Sequence, residues 1–266
     1  MIGVAGCGRM GAPMLAALRR AGFDARGFDI RPSAEFGELA NVMTDRPEEF
    51  MSGLTTLITV VRDIAQTEDV LFGAQNFLSA PELERVIISS TLSPRYVLDL
   101  RARVSPDITL IDAPMSGAQI AAEEARLSFM LGGETADLDA AQPLFAAMGA
   151  HFHRMGGFGT GMQAKVLNNL LAASNTAMTR LVLDWGDQTG LDPAAFLQLI
   201  GTSSGQNWFA SGFDSIEFAR DGFAEDNTIG ILVKDVESAL DATPEGMDQS
   251  LPKTVREAIR NLKPRG

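Results

Sequence analysis

The chain has 266 residues, 45% hydrophobic and 21% charged, enough for one large globular domain or two modest ones with a sizeable core. Its formal net charge of −12 at pH 7 would repel nucleic acid and anionic membranes, so neither is an expected partner, and an anionic ligand needs a local pocket of donors. A lone cysteine, Cys7, excludes an internal disulfide framework and fits a reducing compartment. The two histidines, His151 and His153, would share one face of a strand, but without a Cys/His cluster no metal site is expected. No apolar run reaches the roughly 20 residues that span a bilayer, and the chain opens directly on a strand pattern, so a cytoplasmic protein without a leader is expected.

In chain order, "MIGVA" reads as a strand that runs into Gly6-Cys7-Gly8-Arg9-Met10-Gly11 and then the amphipathic "APMLAALRRAG". A Gly-x-Gly-x-x-Gly between strand and helix is the pattern of a dinucleotide site. The first glycine permits the tight turn, the second lets the backbone approach a pyrophosphate, and the third lets helix and strand pack closely. The next strand, "DARGFD", ends at Asp29, where an acid would accept the ribose 2′-hydroxyl of NAD. Arg31, two residues on, could instead hold the 2′-phosphate of NADP, so both cofactors stay open with NAD preferred.

The runs "LTTLITVV", "RVIISST" and "ITLIDAP" follow, each leading into helix-like sequence. Strands alternating with helices predict an α/β fold with a Rossmann-type, doubly wound parallel sheet over residues 1–157, the dinucleotide-binding domain. From about residue 160 strand punctuation stops, and "PAAFLQLIG", "NTIGILVKDVESALDA" and "KTVREAIRNL" read as further helices. Residues 158–266 are therefore expected to form a second, all-helical domain for substrate binding and dimerisation, with "MGGFGTG" (155–161) as the hinge. Its apolar helices suggest a homo-oligomer.

The stretch "GTGMQAKVLNN" (159–169) opens that helical part. On a helical projection of residues 162–183, Lys165, Asn168, Asn169, Ala172, Thr176 and Thr179 form one stripe. Apolar residues fill the remaining faces, including Leu167, Leu171, Met178 and Val182, so the helix is expected to be buried on most sides. A solvent-facing stripe would carry several charges, yet Lys165 is the only one before Arg180. A single cation flanked by amides reads as a site at a cleft between two domains. A helix start, apolar neighbours and a second cation at Lys234 would all favour its neutral form.

Taken together, "GCGRMGAPMLAALRRAG", "SSTLSP", "DAPMSG", "LSFMLGG", "GTGMQAKVLNN" and "KDVESAL" resemble, in order and spacing, the β-hydroxyacid dehydrogenase family, which includes 3-hydroxyisobutyrate dehydrogenase and the tartronate semialdehyde and glyoxylate reductases. The resemblance implies a hydride transfer between NAD(P) and a small β-hydroxyacid or its semialdehyde. It implies catalytic roles for Lys165 and Asn169, and carboxylate binding by the loop Ser116, Gly117 and Ala118. Cofactor contacts would fall on Gly6, Gly8, Arg9, Met10, Gly11, Asp29, Arg31, Val61, Arg62, Thr91 and Lys234. The chain departs from the family at Ala118, Ala121 and Ala125, where similar proteins usually have glycine, and at Arg62, which replaces a usual proline. The related imine reductases and a non-catalytic dinucleotide-binding module are the alternatives. Both generally lack a lysine at position 165.

Overall fold

The computed structural model describes residues 1–265 and divides into two compact units, 1–165 and from Val166 onward. In the first unit, among the described residues, nine strands form one sheet: β1 (Ile2–Ala5), β2 (Ala25–Phe28), β3 (Met43–Thr44), β4 (Thr56–Thr59), β5 (Arg85–Ile88), β6 (Thr109–Asp112), β7 (Met115–Ser116), β8 (Leu127–Gly132) and β9 (Gly149–Gly156). Six run parallel in the order β3-β2-β1-β4-β5-β6. That is the doubly wound order, with its switch point between β1 and β4, where such sheets open a ligand crevice. Beyond β6, strand β8 pairs antiparallel with β6 and β7 and parallel with β9.

The helices of this unit are α1 (Gly11–Arg20), α2 (Pro47–Met51), α3 (Ile64–Leu71), α4 (Pro94–Arg103), α5 (Ala118–Glu123) and α6 (Thr135–Met148). On one face Val4, Ile58, Ile87 and Ile111 cluster with Met14, Leu15 and Leu18 of α1 and Leu138 and Phe145 of α6. On the other, Ala5, Leu57, Val86, Ile88 and Leu110 cluster with Phe50 of α2, Leu71 of α3 and Val97 and Leu100 of α4. Burial on both faces is why these strands read as continuous apolar runs and not as alternating patterns. The five strands expected from such runs are β1, β2, β4, β5 and β6. Strands β3 and β7 have two residues each, too few to show a period, and β9 is polar, with His151 and His153 both exposed.

In the glycine-rich segment 155–161, read from the sequence as a hinge, several residues are packed against the sheet. Met155 and Gly156 complete β9, and Gly161 lies so close to β8 that a Cβ there would sit 2.4 Å from the Met130 carbonyl oxygen. At Gly161 a glycine serves the close approach of two backbone segments.

Helix α7 (Thr160–Thr189) begins in the first unit and continues into the second, which adds α8 (Pro193–Gly201), α9 (Trp208–Ser211), α10 (Thr228–Asp241) and α11 (Ser250–Arg260). Asp192, Asn207 and Asn227 cap α8, α9 and α10 through their side chains, each satisfying amides that a helix start leaves open. Ala173 of α7 packs with Ile229, Leu232, Val233 and Val236 of α10 and Val255 and Ile259 of α11. Arg180 is buried and donates to the carbonyl oxygens of Ala219, Asp221 and Lys263.

The faces of α7 differ from the expectation. The polar stripe is itself covered at Lys165, Thr176 and Thr179, while Leu167, Leu171 and Met178 are 50%, 66% and 60% exposed. Hydropathy marks a face that avoids water but not what covers it, so the projection assigned this apolar face to the core of the same chain.

Candidate active site

The glycine loop follows β1 at the switch point of the sheet. Gly6 has φ +91°, a left-handed conformation that L side chains rarely adopt, and a Cβ on Gly11 would meet the Gly6 carbonyl oxygen at 2.0 Å. In front of Gly8 there is open space, bordering a groove of about 350 Å³ that Arg9, Ala12, Leu39 and Gln119 also line. Met10 precedes α1, and among the described residues no side chain caps that start, though the Ala12 amide donates to the Gly8 carbonyl oxygen at 3.2 Å.

Asp29 and Arg31, read from the sequence as rivals, are joined. Asp29 Oδ2 accepts the Cys7 amide at 3.0 Å, and Oδ1 accepts Arg31 Nε at 3.0 Å. Arg31 Nη2 also donates to the Cys7 carbonyl, and the guanidinium lies 4.6 Å from the centre of the Phe36 ring. Burial and the nearby Asp29 charge push the Cys7 thiol far above its usual range, so it is no nucleophile. After β4, the Val61 amide donates to Ser90 Oγ at 2.9 Å and the Arg62 amide to Gln66 Oε1. Thr91 is half-buried, and the next amide, that of Leu92, donates to Met162 Sδ.

Ser116 ends β7, and Gly117 and Ala118 turn the chain into α5 with φ of 136° and 54°. Ala125, just after α5, has φ 53°. The alanines at 118 and 125 therefore occupy left-handed conformations, which favour glycine. Lys165 is 7% exposed, and its Nζ donates to Ser116 Oγ at 2.9 Å. A serine oxygen that accepts from an ammonium keeps its own O–H as a donor for an anion.

Asp112, which sequence reasoning missed, ties these segments together. It is fully buried at the end of β6 and accepts the Gly159 amide at 2.6 Å and the Met162 amide at 2.5 Å. Burial pushes its carboxyl up, against the backbone donors that pull it down. A carboxylate at this helix start offsets the positive end that was expected to disfavour the ammonium of Lys165.

In the second unit, Asn169 Nδ2 donates to Asp235 Oδ2 at 2.6 Å. Lys234 Nζ lies 3.3 Å from Asp235 Oδ1. Lys234-Asp235 is thus no plain surface pair, because Asp235 is 3% exposed.

A family model described as the NAD binding domain of 6-phosphogluconate dehydrogenase matches residues 1–157. A second, the NAD-binding domain of NADP-dependent 3-hydroxyisobutyrate dehydrogenase, matches residues 159–264. The chain is 30% identical to L-threonate dehydrogenase of Cupriavidus necator over 246 residues, 90% of this chain and 82% of the relative. It is also 30% identical to 3-hydroxyisobutyrate dehydrogenase of Pseudomonas aeruginosa over 257 residues, 93% of this chain and 86% of the relative. The chain belongs to the β-hydroxyacid dehydrogenase family. A solved structure of this family, Mycobacterium tuberculosis 3-hydroxyisobutyrate dehydrogenase with L-serine, matches with a TM-score of 0.81 and 25% identity, covering 98% of this chain and 95% of that one.

The family's cofactor is NAD(P), and the residues of this chain fit it. The two outer glycines are held where a Cβ would collide, whereas the middle one faces open space, the arrangement that lets a pyrophosphate reach the backbone. The uncapped start of α1 supplies amide donors to that anion. Among the described residues no group of three or more metal-ligating side chains exists, and no helix is long and apolar enough to cross a membrane.

Proposed function

We propose that this β-hydroxyacid dehydrogenase family member oxidises a small β-hydroxyacid to its semialdehyde, reversibly, with Lys165 as general acid/base. The observation that carries the reading is the buried Lys165 ammonium seated 2.9 Å from the hydroxyl of Ser116 in the loop that would hold the substrate carboxylate. Ser116 donates its O–H to that carboxylate, and the amides of Gly117 and Ala118 turn toward it to form a small anion-binding concavity. Neutral Lys165 takes the hydroxyl proton. NAD+, when bound, accepts the hydride from the same carbon. In reduction the ammonium returns the proton. Burial of Lys165 favours its neutral form, the state a general base needs. Asn169, one turn along α7, hydrogen-bonds the reacting oxygen or orients the lysine.

The glycine loop with Arg9 and Met10, Val61, Arg62, Thr91 and Lys234 are the cofactor contacts on this reading. NAD is the preferred form, because Asp29 accepts the ribose 2′-hydroxyl while Arg31 is already engaged by Asp29. A single buried cysteine suits the cytoplasm. Residues 158–266 serve as the substrate and dimerisation domain. Between residues 160 and 183 the exposed positions of α7 are Leu167, Asn168, Leu171, Met178 and Leu181, none charged, in a chain of net charge −12. A second copy is the occupant expected for such a face, giving a mass in solution above 28.4 kDa.

Turnover with 3-hydroxyisobutyrate, glycerate, L-serine and succinic semialdehyde, each with both cofactor forms, tests the reading. Activity on one of them with NAD, lost on the matching methyl ester, is expected. Each hydrogen bond to an anion is worth on the order of 1.5–3 kcal/mol. Equal activity on acid and ester would show that the loop does not read the carboxylate. Binding of NAD without any turnover would favour the non-catalytic module.

A further inference from the structure

We propose that Asp112 is a positioning residue: by holding the first turn of α7 against the end of β6, it sets Lys165 on Ser116, an inference that rests on the dehydrogenase reading of that pair. Ser116 follows Asp112 by four residues, and Lys165 follows Met162 by three. One carboxylate therefore joins the two segments that carry the pair, with Gly159 N on Oδ1 and Met162 N on Oδ2. Both bonds are short, as expected when the acceptor is ionised.

The surroundings are shaped for that carboxylate. A Cβ on Gly132 would sit 2.1 Å from Asp112 Oδ1 and 2.8 Å from the Gly161 amide nitrogen, so only glycine leaves room for carboxylate and helix start together. A Cβ on Gly161 would in turn meet the Met130 carbonyl at 2.4 Å. The helix start is thus pressed onto β8 from one side and hydrogen-bonded to Asp112 from the other. Leu92, next to the proposed cofactor contact Thr91, enters the same knot through Met162 Sδ. None of these contacts reaches the reacting atoms, so Asp112 acts through the position of Lys165.

Asp112→Asn keeps the shape but turns an amide NH2 toward one of the two backbone N–H groups, donor against donor. The full chain is compared with Asp112→Asn and Lys165→Ala in two assays. The first is steady-state kinetics with calorimetric NAD affinity. The second is labelling of Lys165 by trinitrobenzenesulfonate, read by peptide mass spectrometry, which needs no turnover. In Asp112→Asn, kcat should fall roughly 10-fold or more, each tenfold corresponding to about 1.4 kcal/mol, while NAD affinity holds and Lys165 labels faster. Gly132→Ala crowds the carboxylate and the helix start together and should give the same pattern, which keeps the test open should Asp112→Asn fail to fold. Wild-type kcat and unchanged Lys165 labelling in either folded variant overturn the proposal. Faster labelling in both variants, in a protein on which Lys165→Ala has no kinetic effect, would support the anchor and refute the general acid/base role.

Discussion

Two buried carboxylates serve the same helix in different ways. Asp112 binds the backbone at the start of α7, where it accepts amides that any sequence would present. Asp235, in the second unit, binds side chains instead, the amide of Asn169 and the ammonium of Lys234. The first governs where the helix begins and so acts on everything the helix carries. The second governs two side chains and acts only where they lie. A buried charge that holds backbone is thus expected to show in stability and turnover together, and one that holds a side chain mainly in turnover.

The largest effect tests whether either carboxylate matters to chemistry. Lys165→Ala should lower kcat/KM by roughly 10² to 10⁴, with NAD affinity nearly unchanged by calorimetry. Lys165→Arg should restore little, because a guanidinium does not release its proton at neutral pH. Near wild-type turnover in Lys165→Arg would remove the lysine from the reaction and leave both carboxylates as architecture only.

Asp235→Asn sharpens the contrast. It still offers an acceptor to Asn169 but loses the charge that Lys234 faces, so kcat/KM should fall about tenfold, which corresponds to about 1.4 kcal/mol. The urea midpoint should move less than in Asp112→Ala, which strands two buried amides at about 1–3 kcal/mol each. Equal midpoint shifts in the two variants would erase the distinction.

The smallest effect concerns backbone alone. Ala125→Gly should raise stability by up to about 1 kcal/mol, since a left-handed alanine costs about 1–2 kcal/mol and glycine's extra unfolded-state entropy returns part of that. A lower denaturation midpoint in Ala125→Gly would mean the alanine methyl packs usefully despite φ 53°.

Much of this was legible in the amino acids. Runs such as Leu57–Thr59 and Val86–Ile88 announce strands covered on both faces, and the glycine spacing after β1 places the cofactor loop. Lys165 stands out because it is the only cation of α7 before Arg180. Asp112 does not, because its partners lie 47 and 50 residues away and its type suits any strand end. Arg31 and Asp29 could be read only as alternatives until their pairing was seen. The exposed side of α7 was assigned to the core because Leu167, Leu171 and Met178 carry the same signal whether the chain covers them or not.

The short spacing from Asp112 to Ser116 bears on how sequences of this architecture can vary. A strand reverses the direction of its side chains at every residue, so one residue gained or lost between these positions would send Ser116 to the opposite face while Asp112 stayed in place. Helix α5, which follows, buries Ala121 and Ala122 but ends on the exposed Glu123 and Glu124, where length is under no such constraint. Insertions and deletions among homologues should therefore gather at 123–124 and be missing from 112–116, so that the reading frame from anchor to acceptor is preserved.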